Sequence, residues 1–495
     1  MPRAGCARRS EETTPGNATA FQRERHGLEP IPPSERRGAP GALFWTWLGG
    51  TFNYVALAAG ALPILFGLGL RGALLAAAVG NTLGAIVFAL CAMPGPRTGT
   101  ATIVNTRAAL GHAGNLPAAA VSFLSVSGWV AVNSTLASLA LIQLLTAAGV
   151  AVGAMAKALV IAGVLLVQMV IAIYGHATIM AMERVFGVAS AVLLSGMLFF
   201  VLPRVNWSAP SSGEMAGSTA WGTWLLALGA MFAIPLSWAN YAADYARYLP
   251  ENTDVKRVAL YSGLGLWVGN MACSALGVLL ATLVDMRDPL ANVPRVLPTW
   301  YLVPFLAAVL WGTVANNVMN LYTAGLGLLA LRIRARREVA VLILGVGAGA
   351  LTYIAIFIYN FIDLFTQLLS LTLIFLSPWA AILVVDYALR RGRYDAVALH
   401  AWGRGPYWFT RGVNGVALGV YALGMAAALA TSSSPLWASP LMTKLTGGAD
   451  LSLFVGFLLT GALYAWVART SIRQQTAQLL GNDAPEPIER ALESR

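Results

Sequence analysis

Apolar residues occupy most of the chain in runs far too long for strands, separated by short polar or Arg-rich stretches. Twelve runs stand out, at 43–69, 71–93, 116–147, 155–174, 178–202, 221–248, 257–283, 299–331, 339–359, 361–389, 411–431 and 450–470. Roughly 20 apolar residues carry a helix across a bilayer, and longer runs imply tilt. The pattern therefore predicts an all-α polytopic membrane protein with about 12 transmembrane helices. It divides the chain into an N-terminal tail over 1–40, a transmembrane body over 41–470 and a C-terminal tail over 471–495.

Two runs interrupt their own pattern. Within Phe232–Pro250 the sixth run carries Pro235, Ser237, Trp238 and Asn240 where lipid favours aliphatic residues. The first run holds Gly49, Gly50, Asn53, Gly60 and Pro63. Proline removes a backbone donor and strains the preceding turn, so a helix breaks or kinks there. Opened backbone at membrane depth is tolerated only inside protein or beside a water-filled cavity. One such run is as well explained by a kink packed against its neighbours. Two, at corresponding places in two halves, point to a secondary transporter built from inverted repeats. Trp238 offers a flat apolar face, and Ser237 and Asn53 offer polar groups beside the breaks, which suits a small planar polar ligand.

Other runs bury amides. Trp129 and Asn133 lie one helical turn apart in the third run, on a shared face. An asparagine amide buried without partners costs on the order of 1–3 kcal/mol, so this face meets a partner helix or a polar cavity. By itself the pair fits interhelical glue better than a ligand contact. The eighth run packs Asn316, Asn317 and Asn320 into five residues, which favours function over glue. Their amides supply both donors and acceptors, as reading a heteroaromatic edge requires. His176 and Glu183 lie near a membrane boundary. Glu183 reads equally as an intramembrane functional acid and as a solvated loop charge beside Arg184.

Composition agrees with the pattern: 58% of residues are hydrophobic, 11% are charged, and mean hydropathy is +0.68. No soluble protein of this length has that balance. The net charge of +11 invites a nucleic-acid reading, but its placement does not support one. With both termini cytoplasmic, all but about six of the 32 Lys+Arg fall on the inside, the exceptions being Arg71, Lys157, Arg204, Arg287, Arg295 and Lys444. The clusters Arg332–Arg337 and Arg390–Arg393 are then topology signals first and anionic-lipid contacts second. Cys6, Cys91 and Cys273 form no spaced framework for a disulfide or a metal. The polar, Arg-rich start lacks the apolar core of a cleavable signal peptide. No nucleophile–base pair, phosphate loop or metal-ligand motif stands out, so neither catalysis nor a cofactor is expected.

Several motifs, in order, give the chain a family resemblance. They are LEPIPPSERRG at 28–38, GPRTG at 95–99, SGWVAVNS at 127–134, YAADYARYLP at 241–250, VANNVMNLYTAGLG at 314–327 and DYALRRGRYD at 386–395. On these the chain resembles the purine-cytosine permease branch of the nucleobase:cation symporters, from about Leu28 to Arg469. The resemblance implies a five-plus-five inverted repeat like that of the leucine transporter, over about 43–202 and 221–389, with two further helices within 411–470. Spans one and six would be the discontinuous pair. It also implies plasma-membrane uptake of a nucleobase such as cytosine, adenine, guanine or hypoxanthine, driven by protons or sodium.

Residue by residue, the resemblance makes Trp129 and Trp238 the aromatics that sandwich the base, with Asn133 one turn from the first. Asn320, flanked by Asn316 and Asn317, matches the amides that bind or orient substrate. Glu183 matches an acid that proton-coupled fungal relatives use. Sodium-coupled relatives would use backbone at Gly49 and Phe52, together with eighth-span hydroxyls where this chain has Ala315 and Asn316. That departure favours protons, with Glu183 as the carrier. Ala56 and Ala58 replace serines of the fungal first span, which removes a side-chain contact. Competing expectations are another heterocycle such as a hydantoin, allantoin or a vitamin precursor, sodium as the driver, or a membrane nutrient sensor. A sensor would need a long effector segment, for which tails of about 40 and 25 residues leave little room. The expected partners are a small nucleobase and the lipid bilayer, with no nucleic acid.

Overall fold

The computed structural model describes residues 27–172, 176–212, 219–333, 337–358, 361–434, 437–446 and 448–481. Its helices follow the apolar runs. The first run divides into α1 (Gly41–Thr51) and α2 (Tyr54–Leu65), and the first repeat continues with α3 (Leu70–Ala92), α4 (Leu116–Ala147), α5 (Ala154–Ala172) and α6 (His176–Gly196). The second repeat holds α7 (Ala220–Ser237), α8 (Ala242–Ala246), α9 (Val255–Ala281), α10 (Thr299–Ala330), α11 (Arg337–Phe357) and α12 (Phe361–Arg390). Helices α13 (Gly415–Ala430) and α14 (Thr460–Gly481) complete the bundle. Among the described residues, nine helical segments are long and apolar enough to cross a membrane, and the bent α1–α2 pair makes a tenth. Two shorter apolar helices, Val341–Phe357 and Gly415–Ala430, fall on the remaining predicted runs.

The helix contacts carry the signature of an inverted repeat. Taking α1–α2 as span 1 and α7–α8 as span 6, exchanging each span with the one five later maps the packing onto itself. Span 1 packs on span 7 (α9) as span 6 packs on span 2 (α3). Span 1 meets span 5 (α6) as span 6 meets span 10 (α12), and the α4–α10 and α3–α9 contacts are self-paired. Close approach in the span 1–span 7 seam depends on missing side chains. A Cβ on Gly277 would strike the Leu57 carbonyl, and one on Gly60 the Ser274 backbone.

The two expected breaks differ in kind. Span 1 bends by 63° between α1 and α2. Asn53 sits extended at the bend (φ −139°) and caps α2, its Oδ1 accepting from Ala56 N at 3.1 Å. Span 6 does not bend in that way; Ala220–Ala246 runs as one apolar segment. Its interruption is a 3₁₀ turn over Trp238–Tyr241. Trp238 N turns back to the Pro235 carbonyl, and the Ser237 hydroxyl donates to Ile234 O at 2.7 Å. A side chain thus satisfies the carbonyl that the tightened turn releases, and the helix need not open.

Both termini of the body also depart from expectation. Residues 27–37, expected as tail, pack onto the bundle. Ile31 is fully buried, its N–H donates to Gly99 O at 2.9 Å, and Arg37 N–H donates to Tyr248 O at 2.8 Å. Arg36 donates to Ile31 O (2.7 Å) and Pro96 O (3.1 Å). This places the strap on the ends of spans 2 and 6. At the other end, the helix of span 12 continues to Gly481, well past the predicted limit at 470.

Candidate functional site

The breaks in spans 1 and 6 face a common cavity. Its walls come from five spans: Asn53, Val55 and Ala56 of span 1, Trp129 and Asn133 of α4, and Ile234, Ser237, Trp238 and Tyr241 of span 6. Asn270 of α9 and Asn316 and Asn320 of α10 complete it. Every one of these polar and aromatic side chains is buried. Trp129, Trp238 and Asn320, separated by up to 191 positions along the sequence, meet at one point.

The polar groups divide into spent and unspent. In an intact helix, Gly50 O would accept from the amide of Tyr54; the bend frees it. Two amides take it instead, Asn316 Nδ2 at 2.6 Å and Asn53 Nδ2 at 2.8 Å. Asn53, expected to meet substrate, therefore lines the cavity with its amide already holding the bend. Asn320 Oδ1 accepts from the Tyr241 hydroxyl at 2.6 Å, and its Nδ2 donates to Asn317 Oδ1 at 3.0 Å. Asn133 Nδ2 donates to Trp129 O at 2.9 Å. Among the described residues, four buried atoms of the lining have no hydrogen-bond partner: Trp129 Nε1, Asn133 Oδ1 and both amide atoms of Asn270. Such atoms cost about 1–3 kcal/mol each unless something completes them. They offer donors and acceptors together.

Three predicted residues stand apart from the cavity's unspent groups. Asn317 is not in the lining; its Nδ2 faces Val130 O (3.0 Å), Ser134 Oγ (2.9 Å) and Gln168 Oε1 (2.9 Å), tying α10 to α4 and α5. The Ser237 hydroxyl lines the cavity while donating to Ile234. Glu183 falls within α6, and its side chain lies outside the described residues. It precedes by four positions Gly187, whose absent Cβ lets α6 approach the Gly49 backbone near the bend. Phe52, the other backbone candidate, ends α1 with its N–H on Leu48 O. Among the described residues no group of three or more His, Cys, Asp or Glu is arranged to hold a metal, and the buried Cys91 and Cys273 are unbonded.

Two polar lining residues were not singled out from sequence. Asn270 satisfies the same cost criterion as Asn133, but it stands in the glycine-rich seventh run, where close packing supplies a ready explanation. Tyr241 belongs to a quoted motif, yet only the 3₁₀ turn directs its hydroxyl to Asn320. A third polar centre lies below the cavity. Asp244 accepts from Thr102 N (2.8 Å), Thr102 Oγ1 (2.9 Å) and Thr323 Oγ1 (3.0 Å), joining span 6 to α10 and to the loop after α3.

Residues 30–456 match the family model described as "Permease for cytosine/purines, uracil, thiamine, allantoin". The chain belongs to this family. It is an integral membrane permease. YxlA of Bacillus subtilis, provisionally named a purine-cytosine permease, is 29% identical over 466 residues, covering 91% of this chain and 97% of its own. The vitamin B6 transporter TPN1 of Saccharomyces cerevisiae is 26% identical over 274 residues, 54% of this chain and 46% of that one. The purine-cytosine permease fcyB of Emericella nidulans is 22% identical over 460 residues, 89% of this chain and 87% of its own. Among solved structures, the nucleobase-cation-symport-1 transporter Mhp1, closed with bromovinylhydantoin bound, superposes with a TM-score of 0.72 at 21% identity, over 91% of this chain and 98% of that one. Its inward-facing form gives 0.66 at 23% identity, over 90% and 96%. These likenesses show the fold, an all-α membrane bundle like that described above.

Proposed function

We propose that this permease carries a nucleobase, cytosine or a purine, into the cell by symport with a proton, through alternating access. The observation that carries the reading is the set of unpartnered donors and acceptors on residues that line one buried cavity flanked by two tryptophans. A planar heteroaromatic stacks on an indole and meets amides with its edge. Aromatic contacts add only about 0.5–1.5 kcal/mol beyond buried area, so they hold a base without selecting it. Selection falls to Asn133 and Asn270, and to Asn320 with Tyr241, because a wrong edge leaves buried groups unpaired.

Proton coupling is supported at the bend of span 1. The Gly50 carbonyl already accepts two amide N–H groups. Asn316 thus supplies there the positive end of a dipole where a cation would otherwise sit, and α10 offers no hydroxyl at 315 or 316 to complete an oxygen shell. Glu183 remains the proposed proton carrier, with both termini cytoplasmic in the plasma membrane. One proton gains about 2.3 kcal/mol per 100 mV of membrane potential, roughly a fortyfold concentration ratio. A second reading keeps the cavity and changes the cargo. The vitamin B6 transporter among the relatives supports another planar heterocycle, such as a vitamin precursor, a hydantoin or allantoin.

Uptake of labelled cytosine and adenine into proteoliposomes, under a pH gradient and a sodium gradient imposed separately, tests both parts. Accumulation is expected under the pH gradient alone. Accumulation under sodium alone contradicts the coupling, and accumulation of neither base under either gradient favours the other heterocycles.

A further inference from the structure

A second cavity lies between the ends of α12, α13 and α14. It is on the face that carries the N-terminal strap: Arg390, in its wall, donates from Nη2 to Ala108 O at 2.9 Å, in the same loop that Ile31 pairs with. One face of α14 lines it through Tyr464, Val467, Ala468, Ser471, Ile472 and Gln475, at spacings of three and four. The first of these sit in the apolar part of the helix, and the last follow the point where the run turns polar. Val416 and Ala417, from the first turn of α13, close the apolar side.

The polar floor is incomplete. Arg390 is 1% exposed, and its Nε donates to Asp386 at 2.8 Å. The Tyr394 hydroxyl donates to the same carboxylate at 3.1 Å and the Tyr464 hydroxyl at 2.9 Å, so Asp386 is fully engaged. Among the described residues, Arg390 Nη1 has no hydrogen-bond partner, and neither does the Oε1 of Gln475. A buried guanidinium donor left bare is costly, and a phosphate oxygen is its natural complement. Arg411, which lies in sequence between the wall residues Phe409 and Asn414, is exposed. An apolar wall and a buried cationic donor, at the level where α14 turns polar, match the parts of an anionic lipid.

We propose that this cavity holds one anionic phospholipid of the surrounding leaflet, its phosphate accepting from Arg390 Nη1 and one acyl chain lying along Val416, Ala468 and Ile472. The lipid then joins the end of the second repeat to the two added helices. This inference does not depend on what the central cavity carries.

The test uses the full-length protein, delipidated in detergent, with its unfolding temperature followed as phosphatidylglycerol, phosphatidylcholine or inorganic phosphate is added. Phosphatidylglycerol is expected to raise the temperature and the other two to leave it unchanged. In Val416→Trp, whose indole blocks the mouth from an exposed position, the response to phosphatidylglycerol is lost. Gln475→Ala removes, without adding bulk, the acceptor that takes a headgroup hydroxyl of phosphatidylglycerol, and weakens the half-saturating concentration by about tenfold, the weight of roughly one hydrogen bond. Equal shifts with phosphatidylcholine overturn the proposal, as do equal shifts with phosphate or a full response in both variants.

Discussion

Among the buried asparagines, chemical identity is the same and the role is set by what each amide touches. Asn317 is consumed by Ser134, Gln168 and Asn320, so it fixes the position of Asn320 from behind. Asn270 forms no hydrogen bond through either amide atom among the described residues, although it is 1% exposed. The two therefore respond differently to truncation. Asn317→Ala leaves Gln168 and Asn320 short of partners and is expected to cost about 1–3 kcal/mol of stability, read as a fall in unfolding temperature. Asn270→Ala strands no protein group, so the unfolding temperature holds while substrate affinity falls, by about tenfold for one lost hydrogen bond. Both are asparagines in apolar runs, and the cost of burying an amide is legible for either. Which way each amide turns is not, because that depends on α4 and α5 in one case and on the bend of span 1 in the other.

At the scale of elements, the first break was legible and the second was misjudged for a definable reason. Glycines, an asparagine able to cap and a proline cluster in span 1, and the chain bends there by 63°. Span 6 carries comparable signals in Pro235 and Asn240, but the Ser237 hydroxyl occupies the released carbonyl and the helix merely tightens. A side-chain repair of that kind depends on rotamer and turn geometry, which a residue pattern does not contain. The loop after α3 shows a similar dependence on packing. His112 is buried between Trp402 and Trp408, with ring centroids at 5.7 and 5.8 Å. Burial, and then the charges of Arg107 and Arg332, push its pKa down from 6.5 to about 4. The folded loop thus prefers the neutral ring, whereas the unfolded chain takes up a proton below about 6.5. Its stabilising contribution is complete above that pH and is lost as pH falls towards 4. Unfolding temperatures measured across this range should drop for the native protein, and less steeply for His112→Gln.

For the whole molecule, hydrophobic runs were enough to give the helical membrane class and the approximate span positions, because bilayer thickness sets their length. The inverted repeat was foreshadowed by two interrupted runs and a family resemblance, and it becomes physical in the exchange of span contacts between halves. What the runs could not contain is the packing of residues 27–37 onto spans 2 and 6, or the continuation of α14 to Gly481. Polar segments that fold against a bundle look like polar segments that do not. The central claim remains that amides and indoles from five spans form one binding cavity. Equilibrium binding of labelled cytosine and adenine to the purified protein tests it most directly, in the native form and in Trp238→Ala and Asn320→Ala. The account predicts one saturable site for at least one of the bases, lost in both variants while each still inserts and purifies as a folded protein. Saturable binding that survives both substitutions at native affinity would place the site elsewhere and contradict it.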